Sequence, residues 1–151
     1  MSCFPFDIGR PSGLTLLLAP MILAGCGPAA RIDTHPVSGT VLVDGRPAVD
    51  VVVRFHHQDP GVAGDARSPA GKTDAEGRFR VTTAVDAEGA IAGNYRVTFA
   101  WMSGNELTST DRFAGKYADP GTSGVEVEVP QGGIDLPPME LSSRGPGIRG
   151  R

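Results

Sequence analysis

The sequence predicts an all-β fold: a single antiparallel β-sandwich of about seven short strands behind an N-terminal export signal. Three observations carry that expectation. Glycine (21) and proline (13) are abundant in a chain of 151 residues, about twice their usual combined share of roughly 12%. β-Branched and aromatic residues alternate with polar ones in several short runs, which is the period of a half-buried strand. Turn-forming residues separate those runs, and no amphipathic stretch is long enough for a helix of about ten residues. A Gly-X-Y period is absent, which excludes collagen. The hydrophobic share of 40% is too high for a wholly disordered chain and too low for a polytopic membrane protein. A net charge of −3 argues against nucleic acid as a partner. Two cysteines make neither a disulfide scaffold nor a cysteine-based zinc site.

The N-terminal elements read as an address. Leu14 to Leu23 is an apolar run of about ten residues, whereas a spanning helix needs roughly 20. Arg10 precedes the run and small residues follow it, the layout of a secretory signal peptide. Leu23, Ala24, Gly25 and Cys26 match a lipobox, so this part resembles a bacterial lipoprotein precursor. That resemblance implies a lipid on the Cys26 thiol and removal of the peptide before it. Cys3 would leave with the signal, and the mature chain would keep no free thiol. A single myristoyl chain holds a protein only reversibly, whereas two or three chains on one cysteine anchor it essentially permanently. The expected organisation is therefore a signal peptide over 1–25, lipidated Cys26 and a tether over 26–36, the sandwich over 37–141, and a disordered tail over 142–151.

Within the sandwich, Val37, Val41 and Val43 alternate with smaller or polar residues. Asp44-Gly45 then marks a tight hairpin turn, because both residues tolerate positive φ. A second strand is expected over Ala48 to Phe55, with Val49, Val51, Val53 and Phe55 on one face. Residues 57–71 read as a surface loop. Asp74-Ala-Glu-Gly77 reads as a turn before a strand over Arg78 to Thr83, with Phe79 and Val81 inward. The same four residue types recur at 86–89, which we read as reused turn chemistry. Tyr95, Val97, Phe99 and Trp101 define the clearest strand, with all four inward. Residues 103–112 form a second polar loop; Val125, Val127 and Val129 alternate with Glu126 and Glu128. The last strand spans Ile134 to Leu141 and is interrupted by Pro137-Pro138, a pair that only an edge or bulge tolerates.

Several of these segments together resemble the carboxypeptidase regulatory-like family. They are Ser38-Gly-Thr-Val-Leu-Val-Asp-Gly-Arg-Pro47, Val51-Val-Val-Arg-Phe55, Thr73-Asp-Ala-Glu-Gly-Arg-Phe79 and Gly93-Asn-Tyr-Arg-Val97. Lys116-Tyr-Ala-Asp-Pro120 with Thr122-Ser-Gly124 is similar to a lipoprotein subgroup abundant in planctomycete-type bacteria. The resemblance covers most of the mature chain and implies a transthyretin-like, Ig-like sandwich. It is to the accessory domain beside a carboxypeptidase, so it brings no catalytic residues; no metal and no cofactor are expected from the sequence. Ala48 and Asp50 depart from the pattern, which usually has a larger aliphatic and a glycine there.

The residues able to carry chemistry point the same way. His35, His56 and His57 are the only histidines, and neighbours in a strand face opposite sides, so His56 and His57 do not converge on one metal. Asp74 with Glu76, and Asp86 with Glu88, supply too few ligands for an EF-hand calcium loop. Gly-x-Ser-x-Gly and Ser-x-x-Lys are absent, and Ser123 has no evident histidine partner. No glycine-rich loop opens a helix, so a phosphate cradle is missing. Trp101 and Tyr117 are the candidates for a stacking surface for sugar, and loops 57–71 and 103–112 for the rim of a carbohydrate or peptide site, but core packing is the better reading of Trp101 and a packed turn that of Tyr117. Arg144, Arg149 and Arg151 give the tail a positive charge suited to anionic lipid or cell-wall polymer. The expected protein is a non-enzymatic module on the bacterial cell envelope, periplasmic or on the outer surface. It would be held to a membrane by lipid and would meet envelope proteins or cell-wall polymer. A carbohydrate- or peptide-binding module is the alternative reading, and a hydrolase a remote third.

Overall fold

The computed structural model describes residues 32–84, 87–104 and 108–144. The lipobox Leu23–Cys26 and the tail from 145 onward lie outside them. The described residues are all β apart from one 3-10 turn over Gly64–Arg67.

The first sheet is organised around β1 (Val37–Val43), whose strict alternation of buried and half-buried residues matches its sequence period. Asp44 and Gly45 turn the chain at φ 50° and 78°, the left-handed pair that a tight hairpin needs. The chain returns as β2 (Arg46–Pro47), antiparallel to β1. β5 (Arg78–Arg80) lies further along the same side of β1, also antiparallel. β11 (Ile134–Asp135) and β12 (Met139–Leu141) run end to end along the opposite side of β1. Both pair with β1 in parallel, where the sequence pattern suggested an antiparallel strand. They form two pieces because Pro137 and Pro138 lack the N–H donors a continuous ladder would use.

The second sheet runs β10-β8-β3-β4-β6-β7. At its centre β3 (Val51–His57) pairs antiparallel with β8 (Gly93–Ser103) over seven residues, from Val51 opposite Trp101 to His57 opposite Tyr95. β4 (Ala70–Lys72), β6 (Thr82–Ala84) and the short β7 (Ala87–Glu88) extend one side. β10 (Glu126–Val129) closes the other side against β8, and β9 (Thr110–Asp111) pairs with the end of β8.

The core lies between the sheets. Val37, Val41, Val43, Phe79 and Leu141 come from one, and Val51, Val53, Phe55, Tyr95, Val97, Phe99 and Val129 from the other. The aromatic rings meet edge-on or tilted, as Phe55 does on Tyr95 at 5.8 Å and on Phe79 at 6.4 Å between centroids.

Several expected elements change on this scaffold. The strand expected over Ala48 to Phe55 starts only at Val51, because Asp50 sits at φ 65° and breaks the extended run; Val49 is consequently 47% exposed. The strand expected over Arg78 to Thr83 is two strands in two sheets, divided at buried Val81, which bonds across to Val37 and Gly89. Residues 57–71 hold the 3-10 turn and the start of β4, not only a loop. Residues 103–112, expected as a loop, likewise hold β9. With the two divided strands and the short pairings β2, β4, β7 and β9, the described residues form twelve strand segments where about seven strands were expected. The domain also reaches past its expected limits. Thr34 Oγ1 donates to the Glu88 carbonyl, and Ser142 and Ser143 donate to the Asp44 carboxylate. Those serine hydroxyls hold the Asp44 carboxyl below its usual range.

Candidate functional site

The expected aromatic pair comes together around a third ring. Trp101 lies 5.7 Å from Phe113, and Tyr117 lies 5.2 Å from Phe113 and 6.0 Å from Phe99. Trp101 is half-buried; its indole N–H donates to the Val49 carbonyl at 3.0 Å. The Arg112 guanidinium covers one face of its ring at 4.5 Å, and Lys116 covers Tyr117 at 4.9 Å. The Tyr117 hydroxyl accepts the Ser142 N–H. Asp111 fixes the surrounding loop, because its carboxylate accepts the N–H groups of Trp101, Phe113 and Gly115. Both aromatics thus take part in packing at the margin of the core, with a cation over one face of each ring. Trp101→Ala should destabilise the fold by about 2–3 kcal/mol, below the 3–5 kcal/mol of a fully buried aromatic. Urea unfolding checks this; an unchanged midpoint would mean that the Trp101 ring adds nothing to the packing and would favour a ligand-binding role for it.

The histidines stay apart, as their positions implied. The His56 ring bonds Thr98 Oγ1 at 2.9 Å, and partial burial, helped by Arg54, holds its pKa below the usual histidine value. His57 points to the opposite side and is buried, edge-on to Tyr95 at 4.7 Å. Its Nδ1 accepts the Asp59 N–H. Its ring occupies the space over Gly93, where a Cβ would collide with it. His35 Nδ1 accepts the Gly132 N–H. Among the described residues, no group of three or more His, Cys, Asp or Glu gathers as a metal site. Asp74 is turn chemistry: its Oδ1 accepts the N–H groups of Glu76 and Arg78, which lowers its pKa. Ser123 is buried, with no hydrogen-bond partner for its hydroxyl among the described residues.

What the sequence pattern did not single out is the open side of the sandwich. There β10, the last strand of one sheet, lies beside β11 and β12 of the other. A groove of about 590 Å³ runs between them. Val127, Pro130, Ile134, Leu136, Pro137 and Met139 line it, and Glu126 and Glu128 stand at its rim. Val127, Ile134, Leu136 and Met139 remain only partly buried against the core. The alternation at 125–129 was legible in sequence, but nothing in it said that the strand would be an edge.

No family model matches the chain, and no curated protein matches it. Among solved structures, the fold is similar to the major pilin subunit of Bacillus cereus, at 11% identity and a TM-score of 0.42, over 72% of this chain and 29% of that one. It is also similar to a 9R-lipoxygenase from Cyanothece, at 15% identity and a TM-score of 0.39, over 72% of this chain and 16% of that one. A third similar structure is a candidate carbohydrate-binding protein from Pseudomonas aeruginosa, at 11% identity and a TM-score of 0.38, over 72% of this chain and 88% of that one. The chain thus spans less than a third of the pilin and of the lipoxygenase.

Proposed function

We propose that this chain is a bacterial cell-envelope lipoprotein, held to a membrane through Cys26 and presenting a non-catalytic β-sandwich as a structural or protein-interaction module. The observation that carries the reading is the run Leu23-Ala24-Gly25-Cys26 directly after a signal-like apolar stretch. The carboxypeptidase regulatory-like motifs support the module's family, and so does the backbone at its clearest departure. Asp50 stands where that family usually has glycine, and its φ of 65° is one that glycine takes freely. The absence from the sequence of nucleophile-elbow and Ser-x-x-Lys patterns supports a role without catalysis.

Metabolic labelling with radioactive palmitate tests the anchor. The full chain, expressed in a bacterial host, should take up label and partition with membranes, and Cys26→Ala should do neither. An unlabelled wild type, or equal label on Cys26→Ala, would overturn the proposal.

A further inference from the structure

The backbone geometry of β10 gives the interaction module a specific acceptor. Gln58 N–H bonds the Asn94 carbonyl, so Asn94 and the even residues after it turn toward β3. Tyr95 and Val97 therefore turn toward β10, and the Val97 N–H indeed bonds the Val125 carbonyl. With Val127 opposite Tyr95 and Val129 opposite Gly93, the inward-bonding residues of β10 are the valines. The N–H and C=O groups of Glu126 and Glu128 point away from the sheet and have no partner among the described residues. An edge of this kind is a template for another strand.

The other margins nearby are blunted. β12 is preceded by Pro137-Pro138, and β7 has two residues. β10 has four residues and no proline between 126 and 129.

The chemistry around β10 selects the occupant. Glu126 already pairs with Arg96 directly across on β8, at 3.3 Å. Its neighbour Glu128 faces Asn94 and has no ion pair among the described residues. The internal strand thus supplies one cation for two carboxylates. An added strand would lie opposite the same two residues from the other side, and a cation there would be favoured. One residue further on, its side chains turn over the groove, where Val127, Ile134, Leu136 and Met139 offer apolar surface.

We propose that β10 and this groove take up an extended segment of a partner protein as an added antiparallel strand, in which Lys or Arg alternates with apolar residues. This rests on the reading of the chain as an interaction module, and it names the partner's chemistry.

The probe is a fluorescein-labelled peptide, acetyl-(Lys-Val)₃-amide, titrated against the full chain by anisotropy. It should bind at least tenfold more tightly than the (Glu-Val)₃ counterpart. In an antiparallel ladder the residues opposite Glu126 and Glu128 make the bonds, so methylating the Lys amides should abolish binding. Methylating the Val amides should leave it within about threefold, because those N–H groups face away from β10. Glu128→Pro removes an outward N–H and leaves every β8–β10 bond in place, so it should abolish binding with little change in thermal unfolding. Glu128→Gln should weaken binding severalfold while keeping the edge.

Equal affinity for the Lys and Glu peptides would overturn the proposal. So would a folded Glu128→Pro variant that binds normally. Self-association abolished by Glu128→Pro would assign the edge to a second copy instead. Binding that emerges only after deletion of residues 145–151 would assign it to the chain's own tail. Palmitate uptake at Cys26 is read separately, so failure here leaves the anchor standing, and failure there leaves this edge to be judged by its own binding.

Discussion

Phe55→Ala should lower the unfolding free energy by about 3–5 kcal/mol, the usual cost of truncating a fully buried aromatic. Phe55 comes from β3 in the second sheet and is fully buried. Its ring touches Tyr95 within its own sheet and Phe79 from the first sheet, so it ties the two layers together. Truncation would remove apolar contact on both sides and leave a cavity that neither twisted sheet can close without shifting. Domains of this size have a total stability of about 5–15 kcal/mol, so the variant should be marginal or partly unfolded at 25 °C. Urea unfolding followed by tryptophan fluorescence would show a large fall in midpoint at a similar slope. A loss under about 1 kcal/mol would mean that the layers are not joined through this ring.

Thr73→Val should cost about 2–4 kcal/mol although it preserves shape, because two buried backbone groups lose their partners at about 1–3 kcal/mol each. The Thr73 hydroxyl donates to the Ala48 carbonyl at 2.6 Å and accepts the Val51 N–H at 2.8 Å. Those two residues flank the break at Asp50, whose own N–H is taken by the Thr73 carbonyl. Thr73 is 3% exposed, so water cannot replace the hydroxyl. Thr73→Ser keeps both bonds and should lose only about 1 kcal/mol for its methyl group. The prediction fails if the valine and serine variants unfold at the same urea concentration. The exposed ion pair between Asp50 and Lys72, at 2.8 Å, adds little beside this, because solvent screens it.

These two sites differ in how far the sequence announced them. Phe55 ended a run of alternating apolar residues, and period two placed it inward without any structure. Thr73 was one polar residue before a turn. Its role exists only because Ala48 and Val51, distant in the chain, present a carbonyl and an N–H to the same point. The aromatics divide in the same way. Tyr95, Val97 and Phe99 are buried as their alternation required. Trp101, next in that series, is only half-buried, because its strand runs past the edge of the core and meets Phe113 and Arg112 from another loop.

By itself the sequence determined the all-β class, the Asp44-Gly45 turn, the valines and phenylalanines that fill the core, and the motifs from which an envelope address is read. All of these follow from neighbours within a few residues: side-chain alternation, the φ range of a turn residue, the length of an apolar run. Tertiary structure alone decided that Arg78 to Ala84 serves two sheets, that β11 and β12 run parallel to β1, and that β10 is left with an open edge beside an apolar groove. The physical reason is that a strand's partners are chosen by segments far away in the chain. Its pattern records which face is buried, but not which backbone groups remain without a neighbour.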